Sequence, residues 1–317
     1  VSGTHMVRQF TGEELSNEGL GGASMHERTS GGAHFTVADR AEAEDLISEL
    51  LSFLPDHTDQ IPTGWPCSDS VNRPTPEAGD LIPETPTGSY DVHDVLACVV
   101  DDGHLLEPRA QWAPNLVTAF ASIGGRPVGL VANQPQSVAG TLDIAASQKG
   151  GRFVSFCDAF NLPLVTFVDT SGFYPGKDLE WRGMIRYGAQ MAFAYARATV
   201  PRVCLTLRKS YGGAYIVMDS RYMGNDLMLA WPTAEIAVMG AKGAVEILHR
   251  QAHEAERENL VAAYEERLLN PYIAAERGSV DRVIEPADTR SELAAALDVL
   301  SGKRERLPRR RHDNTPL

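Results

Sequence analysis

The sequence predicts an α/β fold built on a largely parallel sheet, and three observations carry that prediction. After Tyr90, short apolar runs alternate with stretches of helical periodicity, the pattern left by strand–helix crossovers. Two of those runs end in glycine-rich turns, Asp169-Thr-Ser-Gly-Phe-Tyr-Pro-Gly-Lys177 and Tyr211-Gly-Gly-Ala214, the punctuation of a strand that feeds a helix. The 317 residues are 43% hydrophobic and 22% charged, the balance of a chain that buries a core.

In chain order, Thr11-Gly-Glu-Glu14 reads as a helix start with acids in its first turn. Leu20-Gly-Gly-Ala23 and Ser30-Gly-Gly-Ala-His34 are turn-rich, and Phe35-Thr-Val37 reads as a short strand. From Ala38 to Leu54, Ala43, Leu46, Ile47, Leu50, Leu51 and Leu54 recur at helical spacing, and Pro55 follows. Residues 55–89 carry Pro62, Pro66, Pro74, Pro76, Pro83 and Pro86 without periodicity. Proline removes a backbone donor and breaks regular elements, so this stretch reads as a surface linker.

Beyond it, Val128-Gly-Leu-Val-Ala132 is a buried strand and Asp143 to Asn161 a helix. Pro163 to Asp169 is a strand, Glu180 to Thr199 one long helix, and Val203-Cys-Leu-Thr-Leu207 a strand. Gly212-Gly-Ala-Tyr215 opens another helix, Ala230 to Met239 holds one more strand, and Ala241 to Asn270 is mostly helix. A weak internal repeat links Gly32 to Val37, followed by a helix ending at Leu54, with Gly278 to Ile284, followed by a helix ending at Leu300. Chance among common strand–helix patterns gives the same signature. A true repeat implies two copies of one module, the first represented by its tail alone.

Acidic residues number 42 against 29 basic ones, a net charge of −13. Such a surface repels phosphate backbones, which argues against a nucleic-acid partner. No apolar run approaches the roughly 18 residues of a membrane helix, and no basic–apolar leader opens the chain. The composition therefore reads cytoplasmic. Five of the basic residues are lysine and the rest arginine, a codon-usage hint of a GC-rich bacterial source. Cys67, Cys98, Cys157 and Cys204 are far apart, which suits neither a disulfide framework nor a zinc ribbon. The basic run from Lys303 to Arg311 reads as a solvated tail.

The strongest chemical signal is Arg208-Lys-Ser-Tyr-Gly-Gly-Ala-Tyr-Ile-Val-Met218. At a strand–helix junction the first amides of the helix have no internal acceptor, and they can hold an anion or a developing oxyanion. A tight turn with no ligand has the same spacing. The turn after Asp169 reinforces the first reading, because ligands of parallel sheets sit beyond the carboxyl ends of strands. Ser171 lacks the Gly-x-Ser-x-Gly frame of a hydrolase nucleophile. No Gly-x-Gly-x-x-Gly dinucleotide fingerprint is present. His249 and His253, four apart, offer a possible metal face, with exposed polar helix the blander reading. His26 and His34 read as local hydrogen-bonders in turns. Few side chains are left as acids or bases, which suits chemistry in which a cofactor or substrate moves the protons.

These segments resemble the carboxyltransferase β subunit of biotin-dependent acyl-CoA carboxylases, the propionyl-CoA and acetyl-CoA branch above all. The resemblance rests on Val131-Ala-Asn-Gln-Pro135, Leu142-Asp-Ile144, Phe156-Cys-Asp-Ala-Phe-Asn161 and Val168-Asp169 with Gly172-Phe173 and Pro175-Gly176. It continues through Ala198-Thr-Val-Pro201, Arg208-Lys209 with Tyr211 to Tyr215, and Trp231 to Gly240. Leu20 to Ala23, Ser30-Gly31, Ala33-His34 and the closing Asn314 to Leu317 match as well, so it covers essentially the whole chain.

The resemblance implies a crotonase-like (ClpP/crotonase) fold with two such domains per subunit. Residues 1–54 correspond to the end of the N domain, which takes the acyl-CoA. Residues 55–89 correspond to the linker, and 90–317 to a complete C domain, which receives biotin. A long N-terminal part of the family pattern, with its own Gly-rich oxyanion hole, is absent, and a truncated chain is the favoured explanation. The implied reaction moves a carboxyl group from carboxybiotin, borne by a partner carrier protein, to the α carbon of acetyl- or propionyl-CoA. The biotin nitrogen takes the α-proton, so no protein base and no metal are called for.

By the same resemblance, the amides of Gly213 and Ala214 form the hole for the biotin carbonyl. Phe173 supplies a backbone acceptor for the biotin N–H, with Gly172, Gly176 and Gly212 beside it. Ile216 and Tyr215 fall on the acyl side, and Ile216 replaces an Asp common in propionyl-preferring members. Thr170-Ser171, Tyr187 and Ser210 also depart from the usual pattern, and these departures leave acyl choice open. Implied partners are a biotin carboxylase/biotin carrier subunit and further copies of the chain, assembled as a trimer of dimers. The alternatives are a biotin-dependent decarboxylase or transcarboxylase subunit, or a non-catalytic structural subunit.

Overall fold

The structure is a computed structural model and describes residues 2–85, 87–303, 305, 315 and 316. Seven strands form one sheet: β1 (Leu116–Ile123), β2 (Arg126–Asn133), β3 (Leu164–Thr170), β4 (Arg202–Tyr211), β5 (Leu227–Ala230), β6 (Glu235–Ala237) and β7 (Arg282–Val283). The order is β1-β2-β3-β4-β5-β7, with β6 paired to the far end of β4. Every pairing from β2 onward is parallel, and only the β1–β2 hairpin is antiparallel. Leu164, Val165, Phe167 and Val168 on β3 are fully buried, the continuous apolar run of a strand covered on both faces. Each such side chain contributes about 1.5–3 kcal/mol by leaving water.

The hairpin turns at Gly124 and Gly125, with φ of 62° and 73°, the left-handed pair that a two-residue hairpin needs. Asp101 fixes it by accepting from both glycine amides, at 2.8 and 2.7 Å. Arg290 donates to the same carboxylate at 2.6 Å.

Among the helices of the described residues are α1 (Thr4–Thr11), α2 (Arg40–Ser52), α3 (Val92–Val99), α4 (Ile144–Ala159), α5 (Met184–Arg197), α6 (Gly212–Val217), α7 (Ala241–Leu248), α8 (Glu254–Leu268) and α9 (Thr289–Leu300). α4 and α5 cover one face of the sheet, and α3 and α9 the other. α4 starts where Asp143 caps the Ala146 amide at 2.8 Å. Its Gly150 lets α5 approach closely: a Cβ there would stand 2.8 Å from the Met191 methyl. Phe35, Leu46, Leu50 and Leu54 from the leading segment pack against the α4–α5 core, and Phe53 is buried in it.

The structure corrects several expectations. Thr11 ends α1 rather than starting a helix, because Gly12 takes the left-handed conformation and stops it. Leu20-Gly-Gly-Ala23 lies largely in two short helices broken at Gly22, whereas the chain from Gly31 to His34 is irregular, with Gly31 at φ 64°. Phe35 to Val37 forms no strand; no neighbouring strand is at hand, and Phe35 packs onto the core instead. The expected helix from Glu180 to Thr199 is two, Lys177–Trp181 and α5, parted at Gly183 with φ 87°. Ala230 to Met239 does hold a strand, β6, and β5 ends at its first residue. His249 closes α7 and His253 caps α8, so the pair shares no helix face. The linker carries one short helix, Pro76–Asp80. The basic run beyond Glu305 and both ends of the closing Asn314 to Leu317 motif lie outside the described residues.

Candidate active site

β3 and β4 run side by side and parallel, with Thr170 opposite Ser210. Their carboxyl ends, and the two glycine-rich turns, therefore open at one edge of the sheet, where parallel sheets bind ligands. A buried polar network holds the ends together. Asp169 Oδ2 accepts from the Tyr90 hydroxyl at 2.8 Å and from Arg208 Nε at 3.0 Å. Asp169 Oδ1 accepts from the Lys209 amide at 3.1 Å, and the Asp169 amide donates to Asn133 Oδ1 at 3.3 Å. Arg208 also donates to the Gly88 carbonyl at 2.9 Å and lies 5.2 Å from the Tyr90 ring centre. The Asp169 and Arg208 side chains are 3% and 7% exposed, so each charge depends on the other. Burial and the Asp169 charge push the Tyr90 phenol well above its ordinary pKa, which keeps it a donor.

After β3 the chain passes through Gly172 at φ 137°, a backbone state that L side chains rarely adopt. The Gly172 carbonyl accepts from the Leu142 amide at 3.1 Å, and the Tyr174 amide donates to the Leu142 carbonyl at 2.8 Å. This bridge braces Phe173 between two bonded neighbours. Its ring points back under the second turn: a Cβ at Gly213 would stand 3.2 Å from the Phe173 ring, and one at Gly188 2.9 Å from it.

After β4, Gly212 takes φ 61° and turns the chain into α6. A Cβ on Gly212 would also meet the Val238 carbonyl at 3.2 Å. Gly213 and Ala214 fall in the first turn of α6, which has no side-chain cap, so the helix offers their amides no acceptor. β6 backs this junction, with Ser210 opposite Ile236, and the Tyr211 hydroxyl contacts Glu235. Burial, then that carboxylate, raises the Tyr211 phenol pKa far above its ordinary value.

Of the residues singled out in the sequence, the fold brings Gly172, Phe173, Gly212, Gly213 and Ala214 to one edge of the sheet. Gly176 stands further along, heading the Lys177–Trp181 helix, where its carbonyl accepts from the Glu180 amide at 3.1 Å. The Tyr215 ring turns inward, edge-on to Tyr222 at 6.2 Å, with its hydroxyl unpartnered. Ile216 faces outward and is 42% exposed. His26 bonds Ser30 at 2.8 Å, the local role expected of it. Among the described residues no group of three His, Cys, Asp or Glu side chains forms a metal cage, and no helix is long and apolar enough to cross a membrane. The four cysteines are free thiols.

The network of Tyr90, Asn133, Asp169 and Arg208 is the part that residue-level reading missed. Its signal was present: a charged residue toward the end of each of two mostly apolar strands.

Comparison with known proteins agrees with this geometry. The family model described as the carboxyl transferase domain matches residues 1–315. The propionyl-CoA carboxylase beta chain of Saccharopolyspora erythraea is 48% identical over 335 residues, covering 100% of this chain and 61% of the relative. The methylmalonyl-CoA decarboxylase subunit alpha of Propionigenium modestum is 44% identical over 323 residues, covering 100% of this chain and 62% of the relative. The crystal structure of the transcarboxylase 12S hexamer, with methylmalonyl-coenzyme A bound, superposes with a TM-score of 0.97 at 45% identity. It covers all of this chain and 62% of its own. The chain thus spans about three fifths of the length of these relatives. Its fold is the crotonase-like α/β fold of the carboxyltransferases, and the chain belongs to the carboxyl transferase domain family.

Proposed function

We propose that this chain carries the biotin-side half of an acyl-CoA carboxyltransferase, moving a carboxyl group from carboxybiotin to the α carbon of acetyl- or propionyl-CoA. The observation that carries the reading is the pair of turns at the ends of β3 and β4, intact within a family match that runs from residue 1 to 315. We assign residues 1–54 to the end of the acyl-CoA domain, 55–89 to a linker and 90–317 to the biotin-side domain.

The residues present fit a biotin ring. Gly213 is exposed, so a planar group can reach its backbone, while its missing Cβ leaves room for the Phe173 ring. The amides of Gly213 and Ala214 point out of the first turn of α6 and would donate to the ureido oxygen, stabilising negative charge there. The Phe173 carbonyl, between two bonded neighbours, would accept from the ureido N–H. Gly172 and Gly212 supply the backbone shapes on which both depend. Biotin, when bound, supplies the carboxyl group and the nitrogen that takes the α-proton. The protein's task is then to orient that ring and exclude water. Ile216, on the outer side of α6, would border the acyl group, and Tyr215 behind it would set the depth of that wall.

The relatives support assembly with a biotin carrier subunit and with further copies of this chain, in the manner of the 12S hexamer. Their bacterial sources support a cytoplasmic setting. Carboxylase, decarboxylase and transcarboxylase subunits share the same half-reaction, so the same turns serve either direction. The test is transfer of labelled carboxyl from a carboxybiotin carrier to propionyl-CoA by the assembled enzyme. Label in methylmalonyl-CoA supports the reading. Label that stays on the carrier, with acetyl-CoA and propionyl-CoA alike, refutes it.

A further inference from the structure

We propose a second ligand site, for a single-chain amphiphile with an anionic head, in the cavity between α2, α4 and α5. The cavity has a volume of about 730 Å³ and shares no residue with the two glycine-rich turns. Volumes of this size accommodate small-molecule ligands. Its deep wall is aromatic: Phe35, Phe120, Phe153, Phe156 and Phe193 line it.

The polar part of the wall is cationic and under-satisfied. Lys149 lines the cavity with its side chain 1% exposed, and its ammonium has only two contacts, Glu107 and the Ala113 carbonyl, each at 3.5 Å. An ammonium offers three donors and is normally held closer than that. Ser147, fully buried on the same wall, has a hydroxyl without a partner. A buried polar atom left so is costly unless a ligand or water completes it.

Arg109 and Arg152 also line the cavity. Arg109 spends its Nε on the Gly31 carbonyl at 2.8 Å and holds φ 59°, a strained backbone for a side-chain residue. Arg152 is exposed, and among the described residues no carboxylate pairs with it. Burial first, then the two guanidiniums, depresses the His34 imidazole pKa, and burial, then Arg152, lowers that of Arg109. No Asp or Glu lines this cavity among the described residues. The nearby Glu107 is shared between Lys149 and His93. In a chain of net charge −13, Lys149, Arg109 and Arg152 gathered beside an aromatic pocket, with Glu107 balancing Lys149 only in part at 3.5 Å, favour an anion with an apolar body. Lys149, Arg152, Phe153 and Phe156 stand at i, i+3, i+4 and i+7 on α4, so head and body would share one helix face.

Head chemistry can come from a fatty carboxylate or an alkyl phosphate, and the experiment separates them. Isothermal titration of the purified chain uses octanoate, decanoate and dodecanoate, then dodecyl phosphate and dodecanol. Affinity should rise about threefold to fourfold per added methylene. Dodecanol should bind at least tenfold more weakly than either anion, and the tighter anion names the source. Arg152→Gln, at an exposed position, and Arg109→Gln should each weaken dodecanoate at least tenfold while leaving dodecanol unchanged. The proposal is overturned if no anion binds below millimolar concentration, if dodecanol binds as well as dodecanoate, or if both variants bind dodecanoate like the parent. Circular dichroism confirms that the variants are folded.

Discussion

The Phe173 ring lies against Gly188 on one side and Gly213 on the other: a Cβ built on Gly188 would stand 2.9 Å from its Cζ, and one on Gly213 3.2 Å from its Cε2. The ring thus spans from α5 to the first turn of α6, and its backbone carbonyl is placed relative to the Gly213 amide by this contact. Gly188→Ala should move the ring. Alanine in a helix interior gains about 1 kcal/mol, and overpacking costs about 1–3 kcal/mol. The expected net is a small loss of stability, with a much larger loss of carboxyl transfer. Gly243→Ala, where the nearest atom is 3.6 Å away, is the control and should be stabilising. Equal effects of both substitutions on stability and turnover would remove the Phe173 wedge from the account.

The Asp169–Arg208 pair, 3.0 Å apart and almost wholly buried, ties the two turns. Arg208→Met leaves the Asp169 charge buried without its cation and should cost about 3–5 kcal/mol in urea unfolding. With Asp169→Asn, the double variant should fall short of the summed single costs by at least about 1 kcal/mol. Strict additivity would mean that the pair does not act as a unit.

His93 bonds Glu107 at 2.8 Å and Asp91 at 2.6 Å. The Glu107 bond first, then Asp91, outweighs burial and raises the His93 pKa to about 9. A folded pKa above the unfolded value of about 6.5 means the folded state binds the proton more tightly. The stabilisation is then complete below pH 6.5 and fades as pH rises through about 9. Thermal melts at pH 6 and pH 9.5 should differ less in His93→Gln than in the parent. An unchanged difference would show that other groups set the pH response. NMR titration of the imidazole gives the pKa directly.

Ile216 presents an apolar side chain, 42% exposed, beside the Gly213–Ala214 turn. An apolar wall discriminates acyl chains by only about 1–3 kcal/mol per methylene. Acetyl-CoA and propionyl-CoA should therefore both be accepted, with a graded preference. Ile216→Asp introduces a charge that needs water or a partner and should change the kcat/KM ratios among acetyl-, propionyl- and butyryl-CoA. Three unchanged ratios would remove Ile216 from the acyl pocket.

The central sheet was legible in the sequence because β2, β3 and β4 are buried on both faces and read as mostly apolar runs, as Leu164 to Val168 does with Thr166 its one polar residue. β1 was not, because Thr118, Ala119 and Ala121 dilute its apolar signal, and its burial is tertiary. The helix break at Gly183 escaped a reading by periodicity, since the residues on both sides keep helical spacing and the glycine alone marks the change of direction. Both turns were visible because Gly172 and Gly212 occupy positions that only glycine adopts readily. Asp169 and Arg208 were visible as residues but not as a pair: 39 positions separate them, and only the parallel register of β3 and β4 brings them together.

The most direct test of the account is Ala214→Pro. Proline is tolerated in the first turn of a helix but removes one of the two amides assigned to the biotin oxygen. Losing one such donor costs about 3–4 kcal/mol of transition-state stabilisation, or roughly 10²–10³ in rate. Carboxyl transfer from the carboxybiotin carrier to propionyl-CoA should fall by that factor in a correctly assembled variant. KM for propionyl-CoA should change little. Parent-like turnover in the assembled variant would place the oxyanion donors somewhere other than Gly213 and Ala214.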